Sequence, residues 1–281
     1  MITCNLKGGL GNQLFQIFAV MAYSLKQHKP FKFLYTDSVP SVTPRHSYWD
    51  SFLKSLKTFT IHTYPANIKM INHNGMDYKE LFAPLENENT IFDGYFQSYK
   101  YFEERQDDIY RLIRLEYQRA ECLAKHGGTG GLVNTISMHF RLGDYKNLGH
   151  FHPIMGFDYY KNALTHILSS CQNQKWKIIY FCEEEDTHIV EQDIINRLKE
   201  VFPLLTFEKA SDQIADWEQM LLMSCCTHHI IANSSFSWFG AYFNTTNKDK
   251  IVCYPNTWFC GSGANIRMDD LFPSTWQKIK C

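Results

Sequence analysis

No long hydrophobic run, no excess of either charge and no paired cysteine motif occurs in these 281 residues. The longest apolar stretch near the N-terminus, residues 14–23, is interrupted by Gln16 and follows a glycine turn instead of a basic region. It is too short for a membrane span and has the wrong order for a secretory signal. A protein starting at Met1 is therefore expected to be soluble, with no transmembrane segment. A net charge of −1 leaves no basic field for a nucleic-acid backbone, so nucleic acid is not an expected partner. The nine cysteines include no C-x-x-C pair. Cys225-Cys226 followed by His228-His229 admits a metal reading, but adjacent cysteines diverge on a helix and His229 runs into apolar Ile230-Ile231-Ala232. Buried thiols in a reducing compartment are expected instead, with no metal site. Two formal glycosylation sequons, Asn233-Ser234-Ser235 and Asn244-Thr245-Thr246, are present. The first falls among candidate ligand residues, which again favours the cytoplasm, free or peripheral to a membrane.

What is present suits a folded α/β protein. The hydrophobic share of 44% supplies ample core, and 20% charged residues argue against disorder. The length allows one large domain or two modest ones. A short strand at residues 2–6 is broken by Gly8-Gly9-Leu10-Gly11, and a helix follows with Leu14, Phe18, Met21, Ala22 and Leu25 on one face. Strands are expected at 31–35 and 90–96, a mixed region over 39–85 in which prolines mark loops, and charged helices over 101–125. Four glycines within residues 127–131 mark the best interdomain hinge, dividing the chain into residues 1–130 and 131–281. Beyond it the alternation is cleaner. Strands at 135–141, 177–182, 205–208, 228–232 and 250–254 enclose helices at 157–171, 187–202, 212–225 and 236–244. Near-continuous apolar strands alternating with helices imply parallel sheet covered on both faces.

Ligands of such sheets sit beyond the carboxyl ends of the strands. Four constellations lie there. Gly8-Gly9-Leu10-Gly11-Asn12-Gln13 joins a strand to a helix, where glycines let backbone approach a phosphate and the helix start offers free N–H groups. A dinucleotide reading, with Asp37 as the ribose acid, fails on spacing, because Leu14 stands where the third glycine belongs. A plain tight turn is the structural alternative. In His139-Phe140-Arg141-Leu142-Gly143-Asp144, period-two alternation puts Ser137, His139 and Arg141 on one face. Arg141 suits two phosphate oxygens, and an ion pair with Asp144 closing the turn is the alternative. Ser234, Ser235 and Phe236 open a helix, with Ser235 placed to cap it and make a second anion site. Asp216, at the start of an apolar helix, could accept the ring N–H and amino group of guanine, or be a solvated acid.

Together these residues resemble the α-1,2-fucosyltransferases of glycosyltransferase family eleven. The likeness runs from residues 8–16 through Gly94-Tyr95-Phe96-Gln97-Ser98, then His139 to Tyr145, to Asp216, Asn233 to Trp238 and Trp258-Phe259. It implies a GT-B-like α/β fold, two Rossmann-type domains with a cleft between them, the acceptor-side domain first and the GDP-sugar domain second. It implies inverting, metal-independent transfer of L-fucose from GDP-fucose to a glycan hydroxyl, the 2-OH of a galactose. No cofactor beyond that donor is implied. Arg141 would hold the β-phosphate. His139 and Asp216 would face the guanosine, with Asp144 nearby, and Ser234, Ser235 and Phe236 the diphosphate. Gly9, Gly11 and Asn12 would approach the donor from the first domain, Asn12 beside the transferred sugar. Leu142 stands where many members carry a second Arg, Tyr99 where Glu is common and Phe239 where Trp is common. No D-x-D motif occurs, so charge on departing GDP falls to Arg141, hydroxyls and helix-start amides. A general base is not singled out among Asp37, Asp144 and Glu183. Transfer from another GDP-sugar, or a silent glycan- or nucleotide-binding module, are the competing functions.

Overall fold

A computed structural model describes residues 1–41, 45–82, 89–128, 131–171 and 175–281. They form two compact units: Met1–Tyr117 with Ile266–Pro273, and Gln118–Asn265 with Ser274–Cys281. Both are α/β with wholly parallel principal sheets, as the alternating pattern implies.

In the first unit, β1 (Ile2–Cys4) is buried throughout, and α1 (Leu10–Lys26) follows. Strands β2 (Ile68–Asn72) and β3 (Asn89–Asp93) complete a sheet of order β1-β3-β2. β2 lies in the region read as mixed, where no strand was singled out. Its Lys69 and Met70 face solvent, so this edge strand carries no continuous apolar run to announce it. Leu14, Phe15, Ile17, Phe18, Ala19, Val20 and Met21 of α1 are all buried. A helix apolar on every side lies inside its unit, not on its surface. Phe102 packs on it, with ring centroids 5.5 Å from Phe18 and 6.0 Å from Phe15.

Thr135–His139 is β4, which opens the second unit's sheet. β5 (Lys177–Phe181), β6 (Thr206–Lys209), β7 (His228–Ile230), β8 (Val252–Pro255) and β9 (Gln277–Ile279) follow. Their order is β6-β5-β4-β7-β8-β9, all parallel. β9 was not expected from the sequence, since it is a three-residue edge strand with Lys278 exposed. Ile136, Met138 and Phe140 point together into a core built with Tyr159, Ala163, Leu164 and Ile167 of the helix Phe157–Ser170. The helix expected at 187–202 is Thr187–Val190 and Asn196–Val201 joined by a π turn at Glu191–Ile195.

The units divide inside the helix Leu115–His126, ahead of the 130/131 boundary that the glycines suggested. Arg119 explains the placement. Its guanidinium donates to Ser224 Oγ and Ser224 O, both at 3.0 Å, and to Thr245 Oγ1 at 3.0 Å, tying the helix into the second unit before the glycines begin. Thr129 and Gly130 lie outside the described residues. Gly127 is buried and its N–H donates to Leu123 O at 2.8 Å, while Gly128 has φ +67. Gly127 therefore closes the helix, and Gly128 follows it in the left-handed conformation that favours glycine.

Candidate functional site

The glycine turn of the first unit is set by crowding and by two buried glutamines. Gly8 has φ +81, and a Cβ there would lie 2.6 Å from Nδ2 of Asn12. Gly9 is the extended N-cap of α1, with open space where its side chain would be, and Gly11 is buried in the first turn. Gln13 Nε2 donates to Gly8 O at 3.0 Å and His46 O at 2.8 Å. Gln16 accepts from Lys7 N at 2.9 Å and donates to Lys7 O at 3.0 Å. Asn12 Oδ1 accepts from Gln97 Nε2 at 2.7 Å, which fixes the amide at the helix start. Gly9, Gly11 and Asn12 thus form one rigid presentation of backbone and amide.

In the second unit, the adjacency of β4 and β7 brings most of the other expected residues to one sheet edge. Met138 pairs with Ile230, so residues following each strand emerge side by side. Tyr145 Oη donates to Asn233 O at 3.1 Å, and the rings of His139 and Phe236 lie 5.5 Å apart. Here the structure corrects one expectation. Ser234, not Ser235, is the N-cap of α2 (Ser235–Tyr242): its Oγ accepts from Phe236 N at 3.3 Å. Ser235 is the first helical residue, half-buried, and its hydroxyl is not the cap.

Arg141 follows β4 and is largely covered, at 17% side-chain exposure. Its guanidinium meets Asp144 through one terminal nitrogen and Glu183 through the other, and lies 5.1 Å from the Tyr145 ring centroid. The Arg141–Asp144 pair raised as the structural alternative is therefore present, with a second carboxylate added. The turn itself rests on another acid. Gly143 N donates to Asp186 Oδ2 at 2.7 Å, and Lys146 pairs with the buried Asp186. Burial, then the Arg141 charge, hold the His139 imidazole down at about 3, so it is neutral at physiological pH. His139 Nδ1 has no hydrogen-bond partner among the described residues, and neither has Asn233 Oδ1.

Asp216 is the first residue of the helix Asp216–Ser224 and is exposed, with Oδ1 accepting from Trp217 N at 2.7 Å. A helix crossing back between parallel strands starts at their carboxyl edge, so Asp216 stands on that side of the sheet. Sequence reasoning missed Asp186, buried at the end of an acidic run, and His152, stacked on Tyr145 at 4.1 Å and 10°. Neither carries a spacing signal. Leu142 is packed in the core and cannot substitute for a second cation. Phe239 is likewise buried, against Phe243.

The Cys225-Cys226-x-His228-His229 run is spread over separate protein partners. Cys226 Sγ faces Leu222 O and Cys225 Sγ faces Arg119 O. His228 Nδ1 accepts from Ile251 N at 2.9 Å, and His229 lies between Ser137 Oγ at 2.8 Å and Asn244 Nδ2 at 2.9 Å. Among the described residues no helix is long and apolar enough to cross a membrane.

The chain is 35% identical over 141 residues to the O-antigen biosynthesis glycosyltransferase WbnK of Escherichia coli, a match covering 49% of this chain and 43% of that protein. The match thus spans less than half the length of that relative. An α-1,2-colitosyltransferase of Escherichia coli is 24% identical, covering 100% of this chain and 99% of that protein. A galactoside 2-α-L-fucosyltransferase of Caenorhabditis elegans is 24% identical, covering 99% and 79%. Among solved structures, NodZ α-1,6-fucosyltransferase co-crystallized with GDP aligns at a TM-score of 0.44 and 10% identity, over 85% of this chain and 91% of that one. At that score the likeness says nothing of the reaction. The family match spans residues 1–280, so the chain belongs to glycosyl transferase family 11.

Proposed function

We propose that this protein transfers L-fucose from GDP-fucose to the 2-OH of a galactose in a glycan, inverting the anomeric centre without a metal ion. One observation carries the donor half of the reading. Arg141, the open nitrogen of neutral His139 and the start of α2 meet at the carboxyl edge of one parallel sheet. A guanidinium and helix-start amides suit a diphosphate, and an unpartnered buried ring nitrogen suits the polar edge of a nucleoside. In the reaction, the acceptor hydroxyl oxygen bonds to the anomeric carbon as the bond from that carbon to the β-phosphate oxygen breaks. The electron pair leaves with GDP, and the hydroxyl proton departs to a carboxylate or to solvent. A single displacement on a β-linked donor gives an α-linked product. Arg141 and the α2 amides act where charge grows on the leaving oxygen.

The relatives favour one second reading. The colitosyl- and fucosyltransferase relatives are equally similar at 24% identity, so the same site suits colitose as the transferred sugar. A panel of GDP-sugars with product analysis separates the two.

GDP and GDP-fucose should stabilise the protein selectively over UDP, ADP and NAD in a thermal-shift screen. Binding to the native state alone adds about 2.7 kcal/mol at a hundredfold excess over the dissociation constant. A UDP response equal to that of GDP would sink the guanine assignment. EDTA should leave transfer largely intact, because the sequence holds no D-x-D motif. Loss of turnover in EDTA, restored by manganese or magnesium, would reveal a metal requirement.

A further inference from the structure

We propose that Glu183 is a displaceable counter-ion of Arg141, holding the guanidinium until the donor diphosphate takes its place. The inference rests on the donor reading above. Strand register dictates the pairing. His139 is paired with Phe181, and Phe140 N donates to Phe181 O at 2.8 Å, so Arg141 and Glu183 each stand two residues beyond matched positions. The position after Leu142 leaves space for that carboxylate. A Cβ on Gly143 would lie 2.7 Å from Glu183 Oε2 and 2.9 Å from Oε1, and its φ of +36 also favours glycine.

Two features make Glu183 the exchangeable partner. Its side chain is 45% exposed, against 35% for Asp144 and 17% for Arg141. It also does not hold the turn, since Gly143 N is on Asp186, Lys146 is on Asp186 and Tyr145 Oη is on Asn233 O. Glu183 engages one terminal nitrogen and Asp144 the other. The guanidinium keeps three further N–H groups, but a two-oxygen grip through both terminal nitrogens brings the phosphate up against these carboxylates, and the more exposed one yields. A half-exposed carboxylate pair contributes little, whereas a bidentate guanidinium–phosphate pair is among the stronger charge-assisted contacts. The exchange therefore runs towards phosphate. While unliganded, Glu183 keeps the guanidinium from collapsing onto other acceptors and so preserves its aim.

The test is GDP affinity by calorimetry on the whole chain, for wild type, Glu183→Gln and Glu184→Gln. Glu184 neighbours Glu183 and is exposed, so its substitution removes the same charge close by. Glu183→Gln should tighten GDP about three- to fivefold, the scale of one half-exposed ion pair, and Glu184→Gln should change it less than twofold. The gain should vanish when Glu183→Gln is combined with Arg141→Ala, because it runs through that guanidinium. Unchanged or weaker GDP binding by a folded Glu183→Gln protein overturns the proposal, as does an equal gain in Glu184→Gln. Loss of turnover by 10² or more at unchanged GDP affinity also overturns it and makes Glu183 a base instead. Should wild type fail to bind GDP at all, the donor reading falls together with this one; every other negative result leaves that reading standing.

Discussion

Arg141→Ala is expected to lose about 10²–10³ in turnover while remaining folded, the usual effect of removing one preorganised donor from a site of developing charge. The competing account is structural: Arg141 closes a turn with Asp144 and Glu183. That account predicts a lower melting temperature and near-normal turnover. The geometry weighs against it, because Asp186 accepts from Gly143 N at 2.7 Å and Tyr145 donates to Asn233 O at 3.1 Å without help from Arg141. Losing two partly exposed ion pairs should cost on the order of 1 kcal/mol. Arg141→Lys should recover little, since a point charge cannot reproduce a two-armed fork. Turnover and melting temperature measured on one preparation decide the matter. An active but unstable variant would remove Arg141 from the catalytic residues.

The second large effect is acid destabilisation set in by buried histidines. Burial lowers His139 to about 3 and His228 to about 4, and depresses His229 well below its usual value, where the Lys250 charge adds to burial. Hydrogen bonding explains why His229 resists a proton. Asn244 Nδ2 donates to Cys226 O at 2.8 Å and faces His229 Nε2 at 2.9 Å, so that ring nitrogen is an acceptor and Nδ1 carries the hydrogen towards Ser137 Oγ. These rings stay neutral when folded and take up protons on unfolding. Their folded values lie below the unfolded value of about 6.5, so the stability they confer is present above that pH and is lost as pH falls towards 4. At pH 5 His139 and His228 should each have lost about 2 kcal/mol, and His229 adds a loss of the same sign. Denaturant midpoints at pH 7.5 and pH 5 measure this directly. His228→Gln should make the fall shallower. Equal stability at the two pH values would show that the rings accept protons in the folded state.

The strands that form the centre of each sheet were legible because burial on both faces writes itself as an unbroken apolar run, as in Lys177–Phe181. The edge strands Ile68–Asn72 and Gln277–Ile279 carry no such run and left no trace, whereas the edge strands at 2–4 and 206–209 were legible. The same limit applies to the site. Period-two alternation correctly put His139 and Arg141 on one side of their strand's end. Which of two adjacent serines caps α2, however, depends on backbone angles that composition does not encode: Ser234 is extended at φ −139 and ψ 127. Among Glu183, Glu184, Glu185 and Asp186, nothing in the sequence says which turns inward, and only Asp186 does. Gln13 and Gln16 look like interruptions of an apolar helix, yet they hold the glycine turn. Polar residues whose partners are distant backbone atoms can be recognised only once the fold has brought those atoms near.

The two sequon asparagines carry a consequence for where the protein can be made. Asn233 Nδ2 donates to Pro153 O at 3.0 Å and Trp258 O at 3.1 Å, and Asn244 Nδ2 to Cys226 O at 2.8 Å; both side chains are buried. These nitrogens are the atoms an oligosaccharyltransferase would modify. Once folded, the chain shields both of them. In a secretory host, attachment would compete with folding as the chain emerges, and a bulky glycan on either nitrogen would leave two peptide carbonyls or a buried ring without their donor. Yield from such a host would then record a race between modification and burial, with the unmodified molecules as the native ones.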